Sequence, residues 1–251
     1  MRRCVPRGLC ARPLAQRGPH VTTHVRQRGR GGGRWAGTAG EAGAQLAEHR
    51  AGAGFERRGV TRLDWSQGSW LNEPAALDSL ADDLVVTTAD QSDFWNRTGY
   101  GFVHDNGHAL LRDFPAHTAM EVEFSAAWTH EFDQAGLFVY ADSEQWVKAG
   151  VEFADGVLGL GAVVTDGMSD WSVGHVPEWM NARIRVRVSR TEDAITMRAR
   201  ANDEPWRLVR LAPIDPTLTW SAGPLAASPT RSGLRVTFHT WESAPADLSI
   251  H

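Results

Sequence analysis

From Leu63 onward the chain alternates apolar and polar positions with a period of two. Val122, Phe124 and Ala126 stand against Glu121, Glu123 and Ser125, and Val147, Val151 and Phe153 against Trp146, Lys148 and Glu152. Side chains two apart on a strand share a face, so each run predicts a strand with one buried side. The pattern recurs at Leu137-Val139, at Leu158-Leu160-Ala162-Val164 and at Ile184-Val186-Val188 against Arg183-Arg185-Arg187. It recurs again at Leu234-Val236-Phe238 against Arg235-Thr237-His239-Trp241. Turn signals separate the runs: Asp105-Asn106-Gly107, Asp155-Gly156, Asp166-Gly167 and Asn202-Asp203. About a dozen strands over roughly 190 residues, joined by connections too short for crossover helices, predict an all-β fold. The expected architecture is a two-sheet antiparallel jelly-roll sandwich.

The first 60 residues are different material. They hold twelve arginines and three acids, a balance of +9, so the formal total of -4 leaves -13 on residues 61–251. Runs such as Arg26-Gln27-Arg28-Gly29-Arg30 and Ala51-Gly52-Ala53-Gly54 offer no apolar face to offset the entropy of ordering. Residues 1–60 are therefore expected to be a disordered Arg/Gly/Ala-rich leader, with the folded domain at 61–251. One lysine against 25 arginines points to GC-rich coding and to an over-extended start, the chain proper beginning near Val60. The alternatives are a targeting segment, which would be unusual without serine, and a nucleic-acid-binding arm. Nucleic acid is not an expected partner of the acidic body. Cys4 and Cys10 lie in the leader, so cysteine holds nothing together in the body, as suits a cytoplasmic protein. No run approaches the ~20 apolar residues of a membrane-spanning helix, and no membrane partner is expected.

Several segments together carry a resemblance. Trp70-Leu71-Asn72-Glu73-Pro74, Ser92-Asp93-Phe94-Trp95, Asp133-Gln134-Ala135-Gly136-Leu137 and Trp146-Val147-Lys148-Ala149-Gly150-Val151-Glu152 are four of them. Ser169-Asp170-Trp171-Ser172 and Ala226-Ala227-Ser228-Pro229 complete the set. Over residues 63 to 245 the chain resembles the regulation-of-enolase-protein-like family of unknown function. That resemblance implies a concanavalin A-like lectin/glucanase fold and no particular reaction, because fold does not fix function.

The candidate chemistry lies on the strand faces turned from the core. Parity places Trp146, Lys148 and Glu152 in one row, with Gly150 leaving a gap, and adds His239 and Trp241 from the last strand. Gln134 joins from the preceding strand, and Trp95, Asp170 and Trp171 from loops. Flat aromatic platforms beside polar groups are the chemistry that sugar rings need. The expected function is a non-catalytic carbohydrate-binding or regulatory module. The alternative is a glycan-active hydrolase or lyase using carboxylates in the same cleft, such as Glu152 with Asp133 or Asp170. Bland readings stand beside these: tryptophans that pack under loops, and a Lys148–Glu152 ion pair across Gly150. The run Glu121-Val122-Glu123-Phe124-Ser125 carries two alternating acids where a glucanase strand would carry a third. No P-loop, dinucleotide fingerprint or G-x-S-x-G elbow occurs, and no cofactor is expected. His104 and His108 flank a turn signal rather than sharing a helix face, so no metal is expected either. The Arg183-Arg185-Arg187 row reads as a solvated outer face, and the protein partner, if any, is open.

Overall fold

The computed structural model describes residues 59–247 and 249. The leader expected over residues 1–60 lies, but for its last two residues, outside them. Seventeen strands follow in order: β1 (Thr61–Arg62), β2 (Ser69–Leu71), β3 (Ala76–Leu80), β4 (Asp83–Thr87), β5 (Phe94–Asn96) and β6 (Val103–Asp105). Next come β7 (His108–Asp113), β8 (Thr118–Ala126), β9 (Gln134–Asp142), β10 (Gln145–Ala154), β11 (Val157–Asp166) and β12 (Met168–His175). The last are β13 (Ile184–Arg190), β14 (Ala194–Ala201), β15 (Arg207–Pro213), β16 (Ser221–Ala227) and β17 (Arg235–Pro245).

They form two antiparallel sheets and one separate hairpin. Sheet I runs β15-β14-β13-β8-β17-β4-β3, with β1 added to β17. Sheet II runs β12-β11-β10-β9-β16-β7-β2, and β5 pairs with β6 alone. The expected all-β sandwich is what the chain adopts. The turn signals serve as read: Asp155 and Gly156 join β10 to β11 with φ of 53° and 77°. Two successive left-handed residues make the turn whose twist matches a tight hairpin, and glycine takes the second place without strain.

The alternating positions meet between the sheets. Val122 and Phe124 of β8, Val186 and Val188 of β13, and Val236 and Phe238 of β17 are buried from one side. Leu137 and Val139 of β9, Val147 and Val151 of β10 and Leu158 of β11 meet them from the other. Each such side chain contributes about 1.5–3 kcal/mol by leaving water. At one open edge Arg210 of β15 donates to Asp170 of β12 (2.7 Å) and to Ser172 (3.3 Å), which latches the sheets.

Two parity expectations are corrected here. A β-bulge between Phe238 and Thr240 inserts one residue into β17, so the alternation reverses beyond it. Trp241 therefore points into the core, fully buried and stacked on Trp65 with ring centroids 6.1 Å apart. His239 stays on the outer face of sheet I, whereas Lys148 lies on the outer face of sheet II. The single face expected to hold Trp146, Lys148, Glu152, His239 and Trp241 does not exist.

The arginine row is also less solvated than its pattern suggests. Arg185 donates to Glu121 and Glu123, while Arg187 donates to Glu121 and Asp247. Arg198 reaches Asp247 from β14, so the outer face of sheet I carries a cross-strand ladder of opposite charges. Burial acts to raise the Glu123 carboxyl, but the hydrogen bonds and charges of Arg185 and Arg183 hold it below its ordinary value.

Candidate functional site

The outer face of sheet II is apolar where the sequence pattern leads one to expect solvent. Phe138 and Tyr140 of β9, Trp146 of β10, Val163 of β11 and Leu225 of β16 form a second cluster on it. The β5–β6 hairpin covers that cluster. Phe94 stacks on Phe138 with centroids 4.2 Å apart and meets Trp146 at 6.0 Å. Trp146 is thus 2% exposed, packed rather than presented. Trp95 is buried beside it, its Nε1 donating to the Thr98 carbonyl (2.9 Å). Neither tryptophan is available as a platform.

Beyond the hairpin the face stays open, and strand register builds a trough there. One row across the sheet is Gln134, Glu152 and Gly159; the next is Gly136, Gly150, Gly161 and Val173; the third is Phe138, Lys148, Val163 and Trp171. Rows two residues apart lie roughly 7 Å from each other, so the glycines form a floor between two walls. A Cβ on Gly136 would meet the Ala149 carbonyl oxygen at 2.1 Å, and one on Gly150 the Ala135 oxygen at 2.2 Å. Close approach of the strands thus requires glycine at these positions. The cleft is small, with about 30 Å³ of space, and is lined by Gln134, Lys148, Glu152, Trp171, Val173 and Leu225.

Lys148 crosses the glycine row. Its Nζ donates to Gln134 Oε1 (2.8 Å) and to Asp93 Oδ1 (2.9 Å) at the base of the β5–β6 hairpin. Gln134 Nε2 also donates to Asp93 Oδ1 (3.2 Å), closing a buried triangle. The ion pair considered between Lys148 and Glu152 is therefore not the one formed: the lysine is committed to Asp93. The side chain of Glu152 has no hydrogen-bond partner among the described residues. Its half-buried carboxyl is pushed up to about 7, first by burial and then by the charges of Asp93 and Glu131, with Lys148 acting against them. Trp171, 42% exposed, stands on the neighbouring edge strand.

The model of a family described as a protein of unknown function, DUF1349, matches residues 70–246. The chain belongs to this family. Within it or beside it, Regulation of enolase protein 1 of Saccharomyces cerevisiae is 36% identical over 188 residues, covering 74% of this chain and 94% of the yeast protein. A crystal structure of a functionally unknown protein from Saccharomyces cerevisiae is 34% identical with a TM-score of 0.69, covering 74% of this chain and all (100%) of that one. A xylan beta-1,4-xylosidase from Bacillus halodurans has a TM-score of 0.58 at 14% identity, over 74% of this chain and 38% of that one. That last likeness shows a shared β-sandwich and nothing about substrate.

The DUF1349 body of this chain commits the other candidate acids elsewhere. Asp133 is fully buried and bidentate with Arg231, and Asp170 faces Arg210 at the sheet edge. Glu121 and Glu123 belong to the arginine ladder of the opposite sheet. His108 has both ring nitrogens in use, Nε2 accepting from the Ala89 N–H and Nδ1 facing the Asn72 carbonyl. Sequence reasoning missed Asp93 as the partner of Lys148 and Val173 as a wall. A signal for the covered half of the face was present: Ala135-Gly136-Leu137-Phe138-Val139-Tyr140 is a continuous apolar run, which marks a strand buried on both sides.

The raised carboxyl gives a pH-dependent prediction. The fold retains the Glu152 proton to about pH 7, whereas the unfolded chain releases it near the ordinary 4.5. The destabilisation is therefore absent below the unfolded value, grows between the two, and is complete above the folded one. Glu152→Gln should raise stability by about 2 kcal/mol at pH 8 and leave it unchanged at pH 4. Urea unfolding of both proteins at the two pH values checks this; an equal effect at both would show that Glu152 titrates normally.

Proposed function

We propose that the chain is a carbohydrate-binding module whose ligand lies in the trough on the outer face of sheet II and is bound there without catalysis. The observation that carries this reading is the unpartnered Glu152 carboxyl and the exposed Trp171 lining one cleft with a glycine floor. A half-buried carboxyl without a hydrogen bond is costly unless something else supplies one. Sugar hydroxyls would do so, and being both donors and acceptors they suit the carboxyl in either protonation state. The Trp171 ring gives an apolar face for the C–H side of a sugar ring, and the third N–H of Lys148 is left for a ring or hydroxyl oxygen. Trp171, Glu152, Gln134 and Lys148 are the residues that take part. The reading includes a cytoplasmic location, since the body has no cysteine. The name of the yeast relative supports a regulatory use of such a module rather than turnover of the glycan.

A glycan array with the full chain, followed by titration of the best binder, tests the proposal. Trp171→Ala should weaken binding about five- to tenfold, as expected for an aromatic contact worth on the order of 1 kcal/mol. Glu152→Ala should weaken it further without loss of fold. Unchanged affinity in both variants would place the ligand elsewhere, and cleavage of the bound glycan would replace the binding module by a hydrolase.

A further inference from the structure

On the outer face of sheet I, away from the trough, three side chains form a hydrogen-bonded line. Ser125 Oγ lies 2.9 Å from His239 Nε2, and His239 Nδ1 lies 2.9 Å from Asp83 Oδ2. They come from the adjacent strands β8, β17 and β4. His239 is the residue that the bulge in β17 inserts. Bulges re-aim a side chain, and this one turns the imidazole so that each nitrogen meets a different strand. The imidazole is largely enclosed, with 10% of its side chain exposed, while the Asp83 side chain is 27% exposed.

The nitrogen assignment is what gives the line chemical meaning. An ionised Asp83 accepts from Nδ1–H, which leaves the Nε2 lone pair to accept the proton of the Ser125 hydroxyl. A hydroxyl is a weak nucleophile until an adjacent base takes that proton, and a base held in one tautomer by a carboxylate is the arrangement that does so. We propose that Ser125 is the nucleophile, His239 the general base and Asp83 the positioning residue of an acyl-transfer site. Its substrate class is a carboxylic ester, whose carbonyl carbon a hydroxyl activated in this way attacks.

In the first half-reaction Ser125 Oγ bonds to the ester carbonyl carbon as its proton passes to His239 Nε2. The tetrahedral adduct then breaks its bond to the alcohol oxygen, which takes the proton from the imidazolium and leaves. In the second half-reaction water attacks the acyl-serine, giving up a proton to the same nitrogen. The carboxylic acid departs and the Ser125 hydroxyl is restored. Arg183 falls opposite Ser125 when the Ile184–Phe124 register is continued by one residue, and its side chain is 60% exposed despite its contact with Glu123.

The same bonds could serve only to tie three strands together, and the test separates the two roles. The full chain is treated with a fluorophosphonate probe and mapped by peptide mass spectrometry, with p-nitrophenyl acetate hydrolysis followed in parallel. The expected result is one covalent adduct on Ser125 and an initial burst of about one equivalent of nitrophenol. His239→Gln, which can still bridge strands but cannot act as the base, should slow labelling at least ~100-fold. Asp83→Asn should slow it as well and change its pH profile, while both variants melt as folded proteins. Absence of an adduct on Ser125, or a labelling rate that His239→Gln leaves unchanged, would reduce the line to a structural tie.

Discussion

Replacing Trp146 by alanine is expected to cost about 3–5 kcal/mol of folding stability, the range for emptying a large aromatic site that cannot collapse. The indole is 2% exposed and packs within 5.5 Å of the Phe138 ring centroid and 6.0 Å of that of Phe94. Its removal takes away both the filling of the second cluster and the surface on which the β5–β6 hairpin rests. Urea unfolding of the variant gives the stability loss, and a glycan titration of its folded fraction should show affinity within about twofold of the parent, since Trp146 does not line the trough. A loss below about 1 kcal/mol would mean that the hairpin does not hold down this face. Trp146 would then be open to a ligand.

The second large effect belongs to Lys148. Its ammonium and the Asp93 carboxylate are each largely buried, at 8% and 14% side-chain exposure, and 2.9 Å apart. Removing one member of such a pair leaves the other charge without compensation, so Lys148→Met should destabilise by about 3–5 kcal/mol. The cost would come mainly from Asp93, which among the described residues keeps the Gln134 amide and the Phe94 N–H as partners. Lys148→Met combined with Asp93→Asn should therefore recover part of the loss, and a double-mutant cycle measures how much. Strict additivity of the two substitutions would show that the charges do not depend on each other. Hydrogen exchange of the hairpin amides offers an independent reading, because the pair anchors the loop leading into β5.

These two residues also show where the sequence can and cannot be read. Wherever one face of a strand is buried and the other is polar, as in Val122-Glu123-Phe124 or Val186-Arg187-Val188, alternation alone places the side chains correctly. It fails at Trp241 because a single inserted residue at the bulge exchanges the faces, and no local composition announces the insertion. It fails at Trp146 for another reason: the hairpin that buries it is about fifty residues away in sequence, and Ser92-Asp93-Phe94-Trp95 reads as a loop until its partner surface is known. The trough itself was half legible. Gly150 correctly marked a gap beside Lys148 and Glu152, but the lysine's choice of Asp93 over Glu152 depends on a tertiary contact that spacing along one strand does not encode.

The glycine row sets a limit on how this face can change. At Gly136, Gly150 and Gly161 an added methyl would meet a main-chain oxygen of the adjoining strand at 2.1 or 2.2 Å, so even alanine would have to push the strands apart. The bottom of the trough is thus bare peptide, the same in depth and polarity whatever the surrounding sequence becomes. On the proposed function, ligand preference would therefore be set along its rims, at the positions of Gln134, Glu152, Trp171 and Val173. A survey of rim variants on an unaltered floor would then read out, position by position, what the proposed ligand of this chain requires.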